Sequence, residues 1–244
     1  MIIFLFWTVA TVLLSAAPFT VAIDPGHTPK HFGALSARGV KEYLFNKKIA
    51  EVLQRELQRE PGIESFIVNW EGKEIGLKQR VAIAAVKRAN LFLSLHHDSA
   101  QERYFSDWDY NGKKLRYSDK FSGYSIFVSH KNPYFDQSYS FAKHLGKSLL
   151  EAGMHPSLHH AEKIKGESRE LLDDKLGIYR FDDLIVLKYA KMPAVLLECG
   201  VIVNRKEELK LASSQFRVKL AYAIIEALKE EKRIHDTKES TPKK

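Results

Sequence analysis

Apolar residues along this chain alternate between two spacings. Short runs at residues 19–23, 65–68, 91–95, 123–129 and 194–197 have the length and the β-branched or aromatic content of buried strands. Between them, longer stretches place apolar positions three and four apart, as amphipathic helices do. Residues 41–60 carry Leu44, Ile49, Val52, Leu53 and Leu57 in that pattern and stop at Pro61-Gly62. Residues 77–89 and 134–152 read as further helices, and residues 213–229 as a final one with Phe216, Leu220, Ile224 and Leu228 on one face. Strand alternating with helix predicts right-handed crossovers. The expected fold is therefore α/β, a single domain with a twisted, mainly parallel sheet flanked by helices on both faces.

Two stretches depart from this rhythm. Residues 101–121 are rich in Tyr, Asp, Lys and Ser and have no clear period, which predicts an irregular insertion beside the site. Its aromatics, Tyr104, Phe105, Trp108, Tyr110 and Tyr117, suit either stacking on sugar rings over a groove or pinning the insertion to the body, with pinning the favoured reading. The same insertion is the candidate gate of the cleft. Residues 230–244 are charged, end in Thr241-Pro242-Lys243-Lys244 and are expected to form a disordered tail.

The first 17 residues are almost wholly apolar, carry no charged side chain, and lead through Ser15-Ala16-Ala17-Pro18 into the first strand. They read as a secretory signal peptide with a small-residue cleavage region, in which the α-amino group of Met1 stands in for the usual basic start. An uncleaved membrane anchor competes with that reading, but the stretch falls short of the roughly 20 apolar residues that cross a bilayer. Thr8, Thr11 and Ser15 also interrupt it. A third reading is a buried internal helix. The folded domain is expected at residues 18–229, and 45% hydrophobic residues in a chain of 244 supply enough apolar side chains for one well-buried core.

The formal net charge is +8, and removal of an uncharged leader leaves it intact. For an exported protein it favours wall polymers, acidic peptide stems or lipid head groups, whereas nucleic acid is not an expected partner. Most individual Lys and Arg residues need no role beyond solubility. The single cysteine, Cys199, excludes an internal disulfide and reads as a small buried residue.

The chemistry is carried by four phrases: Asp24-Pro25-Gly26-His27, Glu42, Ser94-Leu95-His96, and residues 193–198 ending in Glu198. They fall at predicted strand ends or at a helix start, where the side chains of an open α/β sheet meet over one crevice. A hydrolytic zinc needs three imidazole or carboxylate ligands and an open position for water, and His27, Glu42 and His96 meet that need. Each also has a purely structural role open to it: His27 in its turn, Glu42 as a favourable charge near a helix start, His96 as a buried imidazole. Glu198, at the end of an apolar run, is expected to be partly desolvated, which raises its affinity for a proton and suits a base that later serves as an acid. Its structural alternative is an ion pair with Lys188.

Together these phrases resemble the zinc-dependent N-acetylmuramoyl-L-alanine amidases of bacterial cell walls. That family carries I-D-P-G-H-G, a helix-opening Glu, S-x-H-x-[ND] and P-A-[VI]-L-[VL]-E-x-G-F-x-[ST]-N. The matching text here is residues 23–27, Glu42 in Lys41-Glu42-Tyr43-Leu44-Phe45-Asn46, Ser94-Leu95-His96-His97-Asp98-Ser99, and residues 193–204. The resemblance spans residues 19–228. It implies that His27, Glu42 and His96 hold Zn²⁺, with Glu198 as the catalytic carboxylate. A zinc-bound water then attacks the amide between N-acetylmuramic acid and L-alanine, with Glu198 as general base and acid. It also implies peptidoglycan as the substrate. The leader adds an exported address, in the periplasm or cell wall, with no stable membrane span once the signal is removed, and a monomer is expected. A protein activator is an open partner. Targeting is expected from the catalytic domain or such a partner, because no wall-binding repeat is present.

Three departures stand out. Thr28 replaces the family glycine after His27, Val201 replaces Phe, and His97 adds a second imidazole beside His96. Alignment with S-x-H favours His96 as the ligand and leaves His97 as a substrate contact, a support to the ligands, or a hydrogen-bonded structural residue. Asp24 and Asp98 are candidates to orient imidazole N–H groups, Asp24 equally to brace its turn. Asn46, one helical turn after Glu42, is placed to steady that carboxylate or touch substrate. Two other functions fit the same residues: a wall-binding protein without turnover, and a zinc hydrolase of another amide.

Overall fold

The computed structural model describes residues 17–240. All but the last residue of the stretch read as a signal peptide lies outside the described residues. In chain order the elements are β1 (Phe19–Pro25), α1 (Glu42–Leu57), β2 (Ile63–Ile67), α2 (Leu77–Val86) and β3 (Leu91–Asp98). Next come β4 (Ser106–Tyr110), β5 (Lys113–Tyr117), β6 (Ser125–Val128), α3 (Phe135–Glu151), β7 (Glu170–Asp173) and β8 (Ile178–Arg180). The last are α4 (Ile185–Lys188), β9 (Ala194–Val201), α5 (Arg205–Ala212) and α6 (Ser214–Ser240).

Seven strands form one sheet in the order β2-β1-β3-β9-β6-β8-β7. Four of its six pairings are parallel, whereas β6 runs antiparallel to β9 and β7 antiparallel to β8. The central strands are apolar on both faces because helices cover both. In β1, Val21 and Ile23 face one core and Ala22 the other; in β3, Leu91, Leu93 and Leu95 oppose Phe92; in β9, Val195 and Leu197 oppose Ala194 and Leu196. The first core is closed by Ile49 and Leu53 of α1, Phe141 of α3 and Ile224 of α6, and the second by Val81 of α2 and Leu187 of α4. The chain leaves β1 for β2 on one side and reaches β3 on the other, so a crevice opens past the ends of β1 and β3.

Three strands run further than their apolar runs predict. β1 continues through Pro25, β3 through Asp98 and β9 through Val201, so Asp24, His96 and Glu198 are strand residues. β7, β8, α4 and α5 carry too short a pattern to read from sequence.

Two expectations are corrected. Residues 101–121 are not irregular: after a short 3₁₀ turn at Glu102–Tyr104, β4 and β5 pair as an antiparallel hairpin with Tyr110 opposite Lys113. Asn111 and Gly112 both take positive φ, 51° and 73°, the geometry of a two-residue hairpin turn that follows strand twist. The aromatics pin the hairpin to the body. Trp108 stacks on Tyr110, donates from Nε1 to the Ala37 carbonyl at 2.9 Å, and lies under the Arg38 guanidinium.

The charged segment from Glu230 onward does not begin a disordered tail, because α6 runs on to Ser240. Pairs three and four residues apart, Glu230 with Arg233 and Lys232 with Asp236, support that extension along the helix. One face also packs back on the sheet, where the His235 ring meets Phe19 at 5.4 Å.

Leu93 is wholly buried in β3, an interior strand of the sheet, and Leu209 is 55% exposed on α5. Leu93→Ala is expected to lower the unfolding free energy by about 2–5 kcal/mol in a urea titration. Leu209→Ala should change it by less than about 0.5 kcal/mol; similar losses at both would contradict the assigned core.

Candidate metal centre

The loop after β1 is held from behind by Arg80 of α2, a residue that sequence reasoning passed over. Its guanidinium donates to Asp24 Oδ1 at 2.7 Å, to the Pro25 carbonyl at 2.9 Å and to the His27 carbonyl at 2.6 Å, and Ser94 Oγ donates to Asp24 Oδ2 at 2.9 Å. Asp24 therefore braces the turn through Arg80 and orients no ligand imidazole. The clamp fixes an uncommon backbone. His27 has φ 69°, which few non-glycine residues adopt. The left-handed position thus falls on His27 itself, and Thr28 is buried, its Oγ1 accepting from the His31 N–H at 3.0 Å.

Two glycines make room for the side chains. A Cβ on Gly26 would lie 2.1 Å from the His96 ring, and one on Gly33, whose φ is 76°, would lie 2.1 Å from Glu42 Oε2.

Glu42 opens α1 and is 4% exposed. Its Oε1 lies 3.0 Å from His27 Nε2 and 3.1 Å from His96 Nδ1. The same oxygen accepts from Asn46 Nδ2 at 3.1 Å and the His97 N–H at 3.3 Å, while Oε2 accepts from the Ala34 N–H at 2.9 Å. Burial acts to raise the Glu42 pKa, but the imidazoles of His27 and His96 outweigh it and hold the carboxyl well below its usual range. The His27 and His96 rings meet edge to face at 4.9 Å, and the ligating atoms of all three residues lie within 4.8 Å of one another. The donors that sequence placed at separate strand and helix ends share one point.

Strand alternation separates the adjacent histidines. His96 turns to the crevice, whereas His97 is buried on the α1 side, with its ring near Phe45 and Nδ1 2.7 Å from Asn46 Oδ1. Burial pushes its pKa down to about 3, so it is neutral. Because the Asn46 amide donates to Glu42, its Oδ1 accepts from His97 Nδ1–H. His97 is thus a support acting through Asn46, and Asn46 steadies Glu42 as its helical spacing predicts.

Glu198 on β9 lies directly across from His96 on β3 in the sheet register. Burial, reinforced by the charges of Asp98 and Glu42, raises its proton affinity well above that of an ordinary carboxyl. Its Oε2 is buried with no hydrogen-bond partner, and Lys188, the cation of the structural alternative, lies over the Tyr189 ring instead. Glu198 lines a cleft of about 280 Å³ together with His27, His96, His160 and Arg169. A second cleft of about 340 Å³ adjoins it at His27 and His96 and runs toward Thr28 and Leu77. Substrate can therefore approach the shared point from two sides.

Asp98 serves a different pair of rings from those expected. A register shift in the β3–β9 pairing between His96 and Asp98 re-aims its carboxylate, and Oδ2 lies 2.7 Å from His160 Nε2 and 3.2 Å from His159 Nε2. Burial opposes charge on His160, yet Asp98 and Glu167 raise its pKa to about 9. The doublet His159-His160 was the available sequence signal for this cluster, and it sits in a 3₁₀ turn with no periodic pattern around it.

A family model described as N-acetylmuramoyl-L-alanine amidase matches residues 21–230. The probable N-acetylmuramoyl-L-alanine amidase AmiB of Haemophilus influenzae is 32% identical over 245 residues, which cover 92% of this chain and 55% of that protein. The amidase AmiC of Escherichia coli is 27% identical over 233 residues, covering 87% and 52%. The chain thus spans about half the length of each of these relatives. Among solved structures, the catalytic domain of the amidase CwlV from Bacillus (Paenibacillus) polymyxa matches with a TM-score of 0.66 at 27% identity, over 88% of this chain and 98% of that one. The CwlD amidase of Clostridioides difficile, in complex with the GerS lipoprotein, shares the fold with a TM-score of 0.65 at 21% identity, over 88% and 99%. The chain belongs to the N-acetylmuramoyl-L-alanine amidase family.

Proposed function

We propose that this protein is a zinc-dependent hydrolase of peptidoglycan that cleaves the amide between N-acetylmuramic acid and L-alanine. The observation that carries this reading is the convergence of His27, Glu42 and His96, with Glu198 in the same cleft. Two imidazole nitrogens and an anionic carboxylate oxygen, with the remaining side open to a cleft, fit a catalytic zinc. Gly26 and Gly33 leave the space those ligands occupy, and Asn46, braced by His97, holds the carboxylate in place. Zinc, when bound, acidifies water and polarises a carbonyl.

The chain's own residues do the rest. Glu198 takes a proton from the attacking water and returns it to the departing amine of L-alanine, a cycle that its raised proton affinity suits. Peptidoglycan lies outside the cytoplasmic membrane, so this reading includes export, supported by the apolar, uncharged first 17 residues. Among the described residues no helix is long and apolar enough to cross a membrane. A protein partner that activates the enzyme belongs to the same reading.

Glu198→Gln is expected to retain zinc and to lose at least about 100-fold in cleavage of purified muropeptide. Undiminished turnover would remove Glu198 from the mechanism. Chelation should abolish cleavage and added zinc restore it, with mass spectrometry showing released stem peptides and intact glycan. Binding to the wall with no release would mark a wall-binding protein, and lost acetyl groups or shortened stems would mark another amide as the target. Asn46→Ala should weaken zinc binding by about 10–100-fold in a chelator competition, because it removes the group that orients Glu42; unchanged affinity would show that Glu42 needs no such support.

A further inference from the structure

Beside the first centre, three side chains converge a second time. We propose that Asp98, His159 and His160 form a second site for a divalent metal ion, filled by zinc, that ties residues 157–169 to the tip of β3. Their ligating atoms all lie within 4.8 Å of one another, as in the first centre. Two imidazole nitrogens and one carboxylate oxygen are a donor set that zinc accepts.

Each group is also held from outside. His160 Nδ1 lies 2.8 Å from Glu167 Oε2, His159 Nδ1 lies 2.8 Å from Ser157 Oγ, and Asp98 Oδ1 accepts from the Ser99 N–H at 2.7 Å. An imidazole whose outer nitrogen is engaged presents the other one inward, which is how proteins fix the orientation of metal-bound histidines. The rings have little freedom to turn away. His159 stacks on Phe121 at 4.7 Å, and His160 meets the edges of Phe127 and Tyr179 at 5.0 and 5.6 Å.

The burial of the cluster decides what kind of site it is. The side chains of His159, His160 and Asp98 are 1%, 12% and 13% exposed, and of the three only His160 also lines the catalytic cleft, so the ion would sit behind the wall of that cleft. With a water completing the tetrahedron, a site this buried serves structure. What it would hold is a wall of the catalytic cleft, because His160, Glu167 and Arg169 line that cleft together with His27 and His96. The second site is independent of the reaction at the first centre.

The test is zinc stoichiometry. The full chain is stripped with chelator, reloaded with zinc, freed of excess by gel filtration, and assayed for metal and protein by mass spectrometry. Two equivalents per chain are expected for the wild type, one for His27→Gln/His96→Gln and one for Asp98→Asn/His160→Gln. A single equivalent on the wild type that vanishes in His27→Gln/His96→Gln would overturn the proposal, leaving His160 as an imidazolium between two carboxylates. Two equivalents retained by Asp98→Asn/His160→Gln would overturn it as well. Should that variant lose its native circular dichroism, cobalt(II) titration of His27→Gln/His96→Gln decides: visible absorption saturating at one equivalent supports the second site, and no absorption overturns it.

Discussion

The structure turns on one carboxylate oxygen. Glu42 Oε1 sits where β1 and β3 end and α1 begins, and it meets His27, His96, the Asn46 amide and the His97 N–H at 3.0–3.3 Å. A buried anion is costly unless it is paired and hydrogen-bonded, so every element that brings a donor to this oxygen is constrained by it. Arg80 shapes the loop that presents His27, two glycines clear the volume, and strand alternation sends His97 to the opposite side, where it braces Asn46. The first turn of α1 and the tips of two strands are thereby fixed to one another by polar chemistry, while the cores on either face of the sheet hold their other ends.

That arrangement explains why Glu198 is poised as it is. Its place across from His96 follows from the parallel pairing of β3 with β9, and its partial burial follows from the apolar run that delivers it. The two carboxylates then differ by environment alone. Glu42, surrounded by donors, stays anionic, whereas Glu198, with an unpartnered oxygen and anions nearby, gains proton affinity. One holds charge toward a cation and the other can carry a proton, a division of labour that residue type by itself does not encode.

Most of the fold and the heart of the site were legible in the sequence, for identifiable reasons. Apolar runs such as residues 91–95 mark central strands because both sheet faces are covered, and the spacing in residues 41–60 marks a helix with one buried face. His27, Glu42, His96 and Glu198 follow from strand-end and helix-start positions once the amidase resemblance is recognised. The hairpin was missed although Asn111-Gly112 is a strong turn signal, because its strands alternate charged and aromatic residues over too short a span to show a period. The extension of α6 past Lys229 was missed because its stability comes from ion pairs and from packing against Phe19, neither of which hydrophobic spacing registers. Arg80 and the His159-His160 doublet act through tertiary contacts with Asp24 and Asp98, which local sequence does not reveal.

The central claim is that His27, Glu42 and His96 bind one zinc ion with Glu198 facing its open side. Anomalous diffraction at the zinc absorption edge, from crystals of the zinc-loaded protein, tests it most directly. The account predicts a peak bonded to His27 Nε2, His96 Nδ1 and a Glu42 oxygen at about 2.0–2.2 Å, with the Glu198 carboxylate near the ion but not coordinating it. No peak at that point, or Glu198 bound as a ligand and closing the open position, would contradict it.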